Sequence, residues 1–265
     1  MNNSLATKYN KLLAIIEEMQ SAMVAFSGGV DSATLLYVAN KVLGEKVVAI
    51  TVRSPYHFST EGKYAEEYAK KINAHHESIS LEIFDEIRNN PEDRCYLCKR
   101  KVFSTLLDLA RLRNINFLIE GSNTDDTRVY RPGLKALEEL GVRSPFLEAG
   151  FSKEDIRELA REFNLDVWNK PSNSCILTRL PYGTQIEDRI LKNIEEGEEF
   201  LESLGFSKVR IRTYKDLARI EVDEDQIEKI TEVDMRSLVS VKLKELGYKH
   251  ISVDLGGFRS GSFDE

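Results

Sequence analysis

The chain has 265 residues, of which 42% are hydrophobic and 31% charged, with a formal net charge of −7 and a pI of about 5.4. That length holds one large domain, or a medium and a small one, and either can bury a core without disulfide or metal staples. The composition excludes a disordered or fibrous chain, and the acidic balance argues against broad non-specific nucleic-acid binding.

There are three cysteines, Cys95, Cys98 and Cys175. An odd, sparse count is a poor fit to a secreted disulfide framework. The opening stretch MNNSLATKYNKLLAIIEEM is apolar at helical spacing and has no continuous apolar run of the signal-peptide kind. No segment approaches the ~20 apolar residues of a membrane span. The expectation is a cytoplasmic protein with no membrane partner, a setting in which Cys-x-x-Cys is more often metal-binding or redox-active than structural.

In chain order, the pattern predicts an amphipathic helix over 5–19, a short buried strand over 22–26, a glycine turn, and a helix from Ser32 to Leu43. A strand over 46–52, a helix over 60–72, a weaker strand over 75–80 and a short helix near 81–88 follow. A long helix over 96–113, a buried strand over 116–121, a helix over 152–163 and a strand over 166–170 complete this part. Alternating strands and helices predict an α/β fold with a doubly wound, mostly parallel sheet and ligands at the carboxyl ends of its strands. Past Gly183 the pattern changes to a helix over 186–204, two alternating strands over 207–214 and 217–222, a helix over 234–246 and a strand over 250–255. The expected division is therefore a large domain over 1–183 and a smaller α+β domain over 184–265, the latter for substrate grip or oligomerisation.

The strongest local signal is AFSGGVDS, residues 25–32, where the first strand turns into a helix. Gly28 and Gly29 let backbone N–H groups approach an anion, Ser27 and Ser32 add hydroxyls, Val30 completes the cofactor-binding loop, and the helix N-terminus adds its positive end. Neither a Walker A loop nor GxGxxG is present. Asp31 would repel a bare phosphate, which points to a bridging Mg²⁺. The plainer alternative is a tight glycine turn with Asp31 and Ser32 capping a helix.

SGGVDS resembles the pyrophosphate loop of the PP-loop ATP pyrophosphatases, whose adenine-nucleotide α-hydrolase-like fold the resemblance implies. DRCYLCKRKVF (93–103), EGSNTDD (120–126), YRPGLKAL (130–137), NKPSNSC (169–175), RLPYG (179–183), VRIR (209–212), ARIEV (218–222) and DLGGFRSG (254–261) are similar to the LarE sulfur transferases, which act in biosynthesis of the nickel-pincer nucleotide of lactate racemase. The likeness runs through nearly the whole chain. It implies an ATP-dependent, AMP- and pyrophosphate-forming sulfur transferase, a small-molecule nucleotide substrate, and a homo-oligomer.

Cys95 and Cys98 bracket the start of the long helix and, three apart, share a face. A helix N-terminus and the neighbouring Lys99, Arg100 and Lys101 are expected to lower their thiol pKa values. Three thiolates are one short of a closed zinc site or a four-cysteine cluster. The family resemblance offers two routes. In one, a cysteine matching Cys175 sacrifices its own sulfur and becomes dehydroalanine. In the other, cysteines matching Cys95, Cys98 and Cys175 hold a 4Fe–4S cluster whose open iron carries the sulfide that is transferred, with a sulfide or sulfur-donor supply replenishing it. All three cysteines are present, so the cluster version is expected. A redox disulfide, a zinc knuckle or buried apolar cysteines are the plainer readings of CxxC.

Several further residues are candidates. In SKVRIRTY, Arg210 and Arg212 share a strand face about 6.6 Å apart, a spacing that suits a phosphate or carboxylate. Arg219 and Glu221 share the polar face of LARIEV, so a solvated cross-strand Arg–Glu ladder is the competing reading. Gly121 ends a strand at the ligand edge and is a cofactor-binding candidate, and Asn123, Asp125 and Asp126 after it are candidates for ribose or Mg²⁺, against an Asx turn. Arg179 would steady charge in the site as a catalytic residue, or pair with an acid on the surface. The family more often has Ser before this arginine, where this chain has Thr178. His57, His75, His76 and His250 show no mutual metal-ligand spacing.

The resemblance implies adenylylation of a carboxylate on a pyridinium dicarboxylate mononucleotide and its conversion to a thiocarboxylate, with Asp31, Cys175 and Arg179 expected in the reacting site. The competing readings are a tRNA 2-thiolation enzyme, an ammonia-using amidating PP-loop synthetase, and a non-catalytic nucleotide- or metal-binding protein. The acidic charge and the lack of an evident RNA-binding module weigh against the first.

Overall fold

The computed structural model describes residues 1–128, 132–170 and 173–259. Tyr130, Arg131, Pro171, Ser172, Ser260 and Gly261 of the motifs quoted above lie outside the described residues. The chain divides into two compact units, Met1–Glu82 with Asp93–Asn173, and Ile83–Glu92 with Ser174–Glu265. This division falls after Asn173 and gives a short inner segment to the second unit, whereas the sequence-based one falls after residue 183.

The first unit alternates α1 (Asn3–Met19), β1 (Ala22–Ala25), α2 (Val30–Leu43), β2 (Val47–Arg53), α3 (Ser59–Lys71), β3 (His75–Ser80), α4 (Arg94–Leu112), β4 (Phe117–Ile119), α5 (Pro132–Glu139), α6 (Pro145–Ala149) and α7 (Lys153–Glu162). Its strands form a sheet of order β3-β2-β1-β4 in which every pairing is parallel. The side chains explain why both faces are covered. Ala22, Val24, Val47, Ala49 and Ile119 enter one core with Leu12, Leu35, Leu36 and Leu159, while Met23, Val48, Ile50 and Leu118 enter a second with Phe103, Leu106 and Leu137. Alternate residues of each strand thus meet different helices, which is what near-continuous apolar strands require. The doubly wound parallel sheet expected from the sequence is the one observed.

Helix ends are set locally. The Asn2 side chain accepts from the Leu5 backbone N–H at 2.8 Å, and Ser152 with Asp155 forms a capping box at the start of α7. α4 begins at Arg94, so Cys95 and Cys98 lie inside its first turns rather than bracketing its start.

One predicted strand is corrected. Residues Asp166–Asn169 form a 3₁₀ turn. Leu165 and Val167 are buried in the first core, and the carbonyls of Trp168 and Lys170 accept from Arg157 rather than from a neighbouring strand. Two apolar positions in a short segment satisfy an interior without a ladder.

The second unit contains α8 (Asp188–Ser203), β5 (Val209–Tyr214), β6 (Leu217–Val222), α9 (Ile227–Thr231), α10 (Val233–Glu245) and β7 (His250–Val253). β5 and β6 are an antiparallel hairpin, and β7 joins β6 in parallel. Val209, Ile211, Ala218, Ile220 and Val222 pack with Leu201 and Leu243 into a core of its own. Among the described residues, no helix is long and apolar enough to cross a membrane.

Candidate active site

The nucleotide loop lies at the carboxyl end of β1. Phe26 continues the strand by donating its N–H to the Ile50 carbonyl at 2.9 Å, and the chain then turns at Gly28, whose φ of 75° is the left-handed region. Gly29 is the N-cap of α2 and lends that helix end no side chain. Ser32 Oγ donates to the Gly29 carbonyl at 3.2 Å and lies 3.1 Å from Ser27 Oγ, so the two hydroxyls close the loop on itself. The glycine turn and the phosphate cradle are the same object here: a loop held by its serines, with a helix N-terminus behind it.

Asp31 is the chemically distinctive member. Its Oδ2 is paired with Lys153 Nζ, while its Oδ1 is buried with no hydrogen-bond partner. Burial pushes the carboxyl up, and the Lys153 ammonium opposes that shift. A buried carboxylate oxygen without a donor fits a small, oxygen-seeking cation, so the residues present suit the Mg²⁺ that ATP chemistry would bring.

The loop after β4 approaches from the side. At Gly121 an added Cβ would stand 2.9 Å from Asp31 Cβ, so only glycine lets the two loops meet. Asn123 Oδ1 accepts from the Asp125 N–H at 3.0 Å, and the Asn123 N–H donates to Asp126 Oδ2 at 3.0 Å. The Asx turn is therefore real, and it presents the Asp125 carboxylate to the Lys153 N–H at 2.8 Å. Asp125 also pairs with Arg128 at 3.3 Å.

Two lysines at this loop escaped the sequence reading. Lys153 starts α7 and carries the partner of Asp31. Lys170 Nζ donates to the Gly28 carbonyl at 3.0 Å and stands 3.5 Å from the centroid of the Tyr64 ring. Burial lowers its pKa. A single lysine has no spacing signature. The only available signal was that Lys170 falls inside NKPSNSC and that Lys153 follows a capping serine.

Cys95 is exposed, while Cys98 is half-buried with the hydroxyl of the fully buried Tyr56 3.5 Å from its sulfur. The expected lowering of the Cys98 thiol pKa is corrected. Burial pushes it up, with Cys95 adding to the rise, and the Tyr56 hydrogen bond and Lys99 only partly offset this. Among the described residues, no group of three His, Cys, Asp or Glu side chains is gathered to hold a metal ion.

In the second unit, Cys175 precedes a 3₁₀ turn, Ile176–Arg179. Arg179 is 0% exposed and makes two bonds to Glu198, Nε–Oε1 at 3.0 Å and Nη2–Oε2 at 2.8 Å. Its Nη1 donates to the carbonyls of Ser174 at 2.8 Å and Cys175 at 3.2 Å. The acid partner expected on the surface is thus an interior one, and Arg179 ties the cysteine's backbone to α8. Thr178 Oγ1 donates to the Cys175 carbonyl at 2.8 Å.

Arg210 and Arg212 share a face of β5 as predicted, but that face is not solvated. Arg212 is 4% and Glu221 1% exposed, and they pair at 3.0 Å. The Arg–Glu ladder exists as a buried one, extended by Arg219 to Glu221 at 2.9 Å. Arg210 lies 5.1 Å from the Phe258 ring centroid. Burial, and then repulsion from Arg179, lower its pKa to about 10. Arg179 and Arg212 are thus near enough to Arg210 to repel its charge, all three lying in the unit that carries Cys175.

Comparisons with known proteins agree with this geometry. A family profile described as queuosine biosynthesis protein QueC matches residues 21–92, the segment that carries the loop. The chain is 37% identical over 265 residues to the pyridinium-3,5-bisthiocarboxylic acid mononucleotide synthase of Lactiplantibacillus plantarum, covering 99% of this chain and 95% of that one. It is also 37% identical over 266 residues to an uncharacterized protein of Synechocystis sp., covering 98% of each, and 35% identical over 238 residues to one of Methanocaldococcus jannaschii, covering 90% of each. A serine-glycine loop on a parallel sheet, matched by this kinship, defines a PP-loop ATP pyrophosphatase. Within that class the chain belongs to the LarE family of ATP-dependent sulfur transferases.

Proposed function

We propose that this protein uses ATP to adenylylate a carboxylate of a pyridinium dicarboxylate mononucleotide and then replaces that carboxylate oxygen with sulfur, in biosynthesis of the nickel-pincer nucleotide. The observation that carries the reading is the loop Ser27–Ser32 with its buried, unpartnered Asp31 Oδ1, in a chain akin end to end to a pyridinium bisthiocarboxylic acid mononucleotide synthase.

The residues divide the work as follows. Gly28 and Gly29 leave the loop's backbone open to phosphate oxygens, and the N-terminus of α2 and the Lys170 ammonium neutralise their charge. Mg²⁺, held by Asp31, would supply further neutralisation of the pyrophosphate leaving group. Gly121, Asn123 and Asp125 shape the wall for the ribose. The substrate carboxylate attacks the α-phosphorus and pyrophosphate leaves, a reaction in which positioning and charge neutralisation do most of the catalysis. A sulfur nucleophile then attacks the acyl carbonyl and expels AMP, a far better leaving group than oxide. Arg210 and Arg212 hold the substrate's anionic groups, and a bound anion would offset the burial and the Arg179 repulsion that together lower the Arg210 pKa. Glu221 orients Arg212 through their buried pair.

The donor set fits a cluster in its chemistry: three cysteines, two of them on one face of α4. Held by Cys95, Cys98 and Cys175, a 4Fe–4S cluster would keep one iron free of protein ligands to carry the transferable sulfide. Arg179 fixes the Cys175 backbone for this role. The smaller C-terminal domain, residues 184–265, serves substrate grip and homo-oligomer assembly.

Anaerobic purification followed by iron and sulfide assay and a visible spectrum tests the sulfur source. Several iron atoms per chain, with repeated turnover when sulfide is supplied, support the cluster. A colourless, iron-free protein that transfers sulfur once per chain and loses it from Cys175 replaces the cluster by the sacrificial route.

A further inference from the structure

The Lys153–Asp31 pair does more than stabilise the fold. Asp31 Oδ2 holds the Lys153 ammonium while Oδ1, on the same carboxylate, is buried and unpartnered. A compact ammonium and a divalent cation on one small carboxylate repel each other, and more strongly in partly buried surroundings than in water. We propose that Lys153 is a built-in counter-ion that keeps a divalent cation off Asp31 until nucleotide arrives, so that metal and ATP bind together and not metal first. This inference rests on reading Ser27–Ser32 as a Mg²⁺–ATP loop.

Three observations carry it. Asp31 lies in the first turn of α2 with one carboxylate oxygen buried and unpartnered, and a buried charge without a counter-ion is costly. Lys153 supplies that cation from another element, at the start of α7. The backbone of Lys153 is pinned: its N–H donates to Asp125 Oδ2 at 2.8 Å, and Thr124 N–H donates to the Phe151 carbonyl at 2.9 Å. With the main chain fixed, only the four-carbon stem is free to swing, and the ammonium is a mobile point charge suited to phosphate oxygens. Incoming phosphates offer Lys153 a second anion, which frees Asp31 for the metal. The same exchange makes Lys153 a positioning residue on both sides of the binding step.

Mn²⁺ serves as the probe, titrated into the full chain by water-proton relaxation with and without a non-hydrolysable α,β-methylene ATP analogue. The wild type is expected to bind Mn²⁺ weakly alone and tightly with the analogue. In Lys153→Met, Mn²⁺ affinity without nucleotide should rise about fivefold or more, the scale of losing one competing ion pair. Adding Asp31→Asn to that variant should remove the gain, and Lys153→Arg, which keeps the charge, should behave as wild type. Lys153→Gln gives a second neutral variant should the Met variant fold poorly. Nucleotide-free Mn²⁺ affinity within twofold of wild type in both neutral variants overturns the proposal. Nucleotide-dependent Mn²⁺ binding that survives Asp31→Asn instead overturns the loop reading on which it rests.

Discussion

Gly121 and Asp31 come so close that a single methyl group at residue 121 would lie 2.9 Å from Asp31 Cβ and 3.0 Å from the Ser32 backbone nitrogen. Both neighbours belong to the first turn of α2, which has no room to retreat because Ala33, Leu35 and Leu36 behind it are fully buried. Gly121→Ala is therefore expected to cost about 1–3 kcal/mol of stability through overpacking. It should also raise the KM for ATP, since the loop that holds Asp31 must shift. Urea denaturation and pyrophosphate release against ATP concentration check the two effects.

The Arg179–Glu198 pair is a second pressure point, buried on both sides with side chains 0% and 3% exposed. Removing one partner strands a charge in the interior, so Glu198→Ala should destabilise the protein by about 3–5 kcal/mol. Arg179→Lys is not conservative here, because it cannot make both bonds to the carboxylate and still reach the Ser174 carbonyl. Paired replacement, Arg179→Met with Glu198→Leu, should recover much of the stability but not the sulfur-transfer rate. Chemical denaturation beside a single-turnover assay separates the two.

Arg210 tests the anion assignment. Arg210→Met removes a guanidinium whose charge burial and Arg179 already disfavour, so the fold should tolerate it. Binding of the pyridinium nucleotide should weaken by about ten- to a hundredfold, the scale of a lost charge-assisted hydrogen bond. ATP affinity should stay unchanged. Calorimetric titration of each ligand checks both, and equal losses for the two ligands would contradict the assignment.

Much of this architecture is legible in the residues. The apolar runs at 22–26 and 46–52 mark buried parallel strands because alternate side chains meet different cores, and SGGVDS marks the loop because its glycines allow the turn and its serines close it ahead of α2. The segment 166–170 misleads because Val167 and Trp168 satisfy packing and a cation contact, Arg161 lying 4.5 Å from the Trp168 ring, without any strand partner. α5 and α6 are short and begin at proline, and their apolar faces appear only against the second core and α1. At the site, glycines and serines announce themselves by motif. Lys153, Lys170 and Tyr56 do not, since what brings each to the site is a contact with a distant part of the chain. Burial was the other hidden variable: it turned the expected low-pKa Cys98 into a raised one and makes the Arg–Glu ladder, the competing reading for the arginine face, an interior one and not a solvated one.

Asp155 gives a pH test of the fold. Burial pushes its carboxyl up, but the bonds from Lys8 at 2.6 Å and from Ser152 outweigh that and hold it below the ordinary range. A depressed carboxylate contributes stability above its unfolded pKa of about 3.9 and loses it as pH falls through the lower folded value. Asp155→Asn should therefore cost about 1 kcal/mol at pH 7, the usual worth of a capping interaction. The gap from wild type should close as pH falls below about 3.9. Thermal melts of both proteins from pH 7 down to the acid limit read this directly.

The central claim is coupling between ATP cleavage and sulfur insertion. Anaerobic protein mixed with Mg²⁺, ATP and a pyridinium dicarboxylate mononucleotide, and followed by mass spectrometry, should yield AMP and a product with one oxygen replaced by sulfur in equal amounts. AMP without any sulfur-containing product, or no ATP cleavage with the nucleotide present, would contradict it.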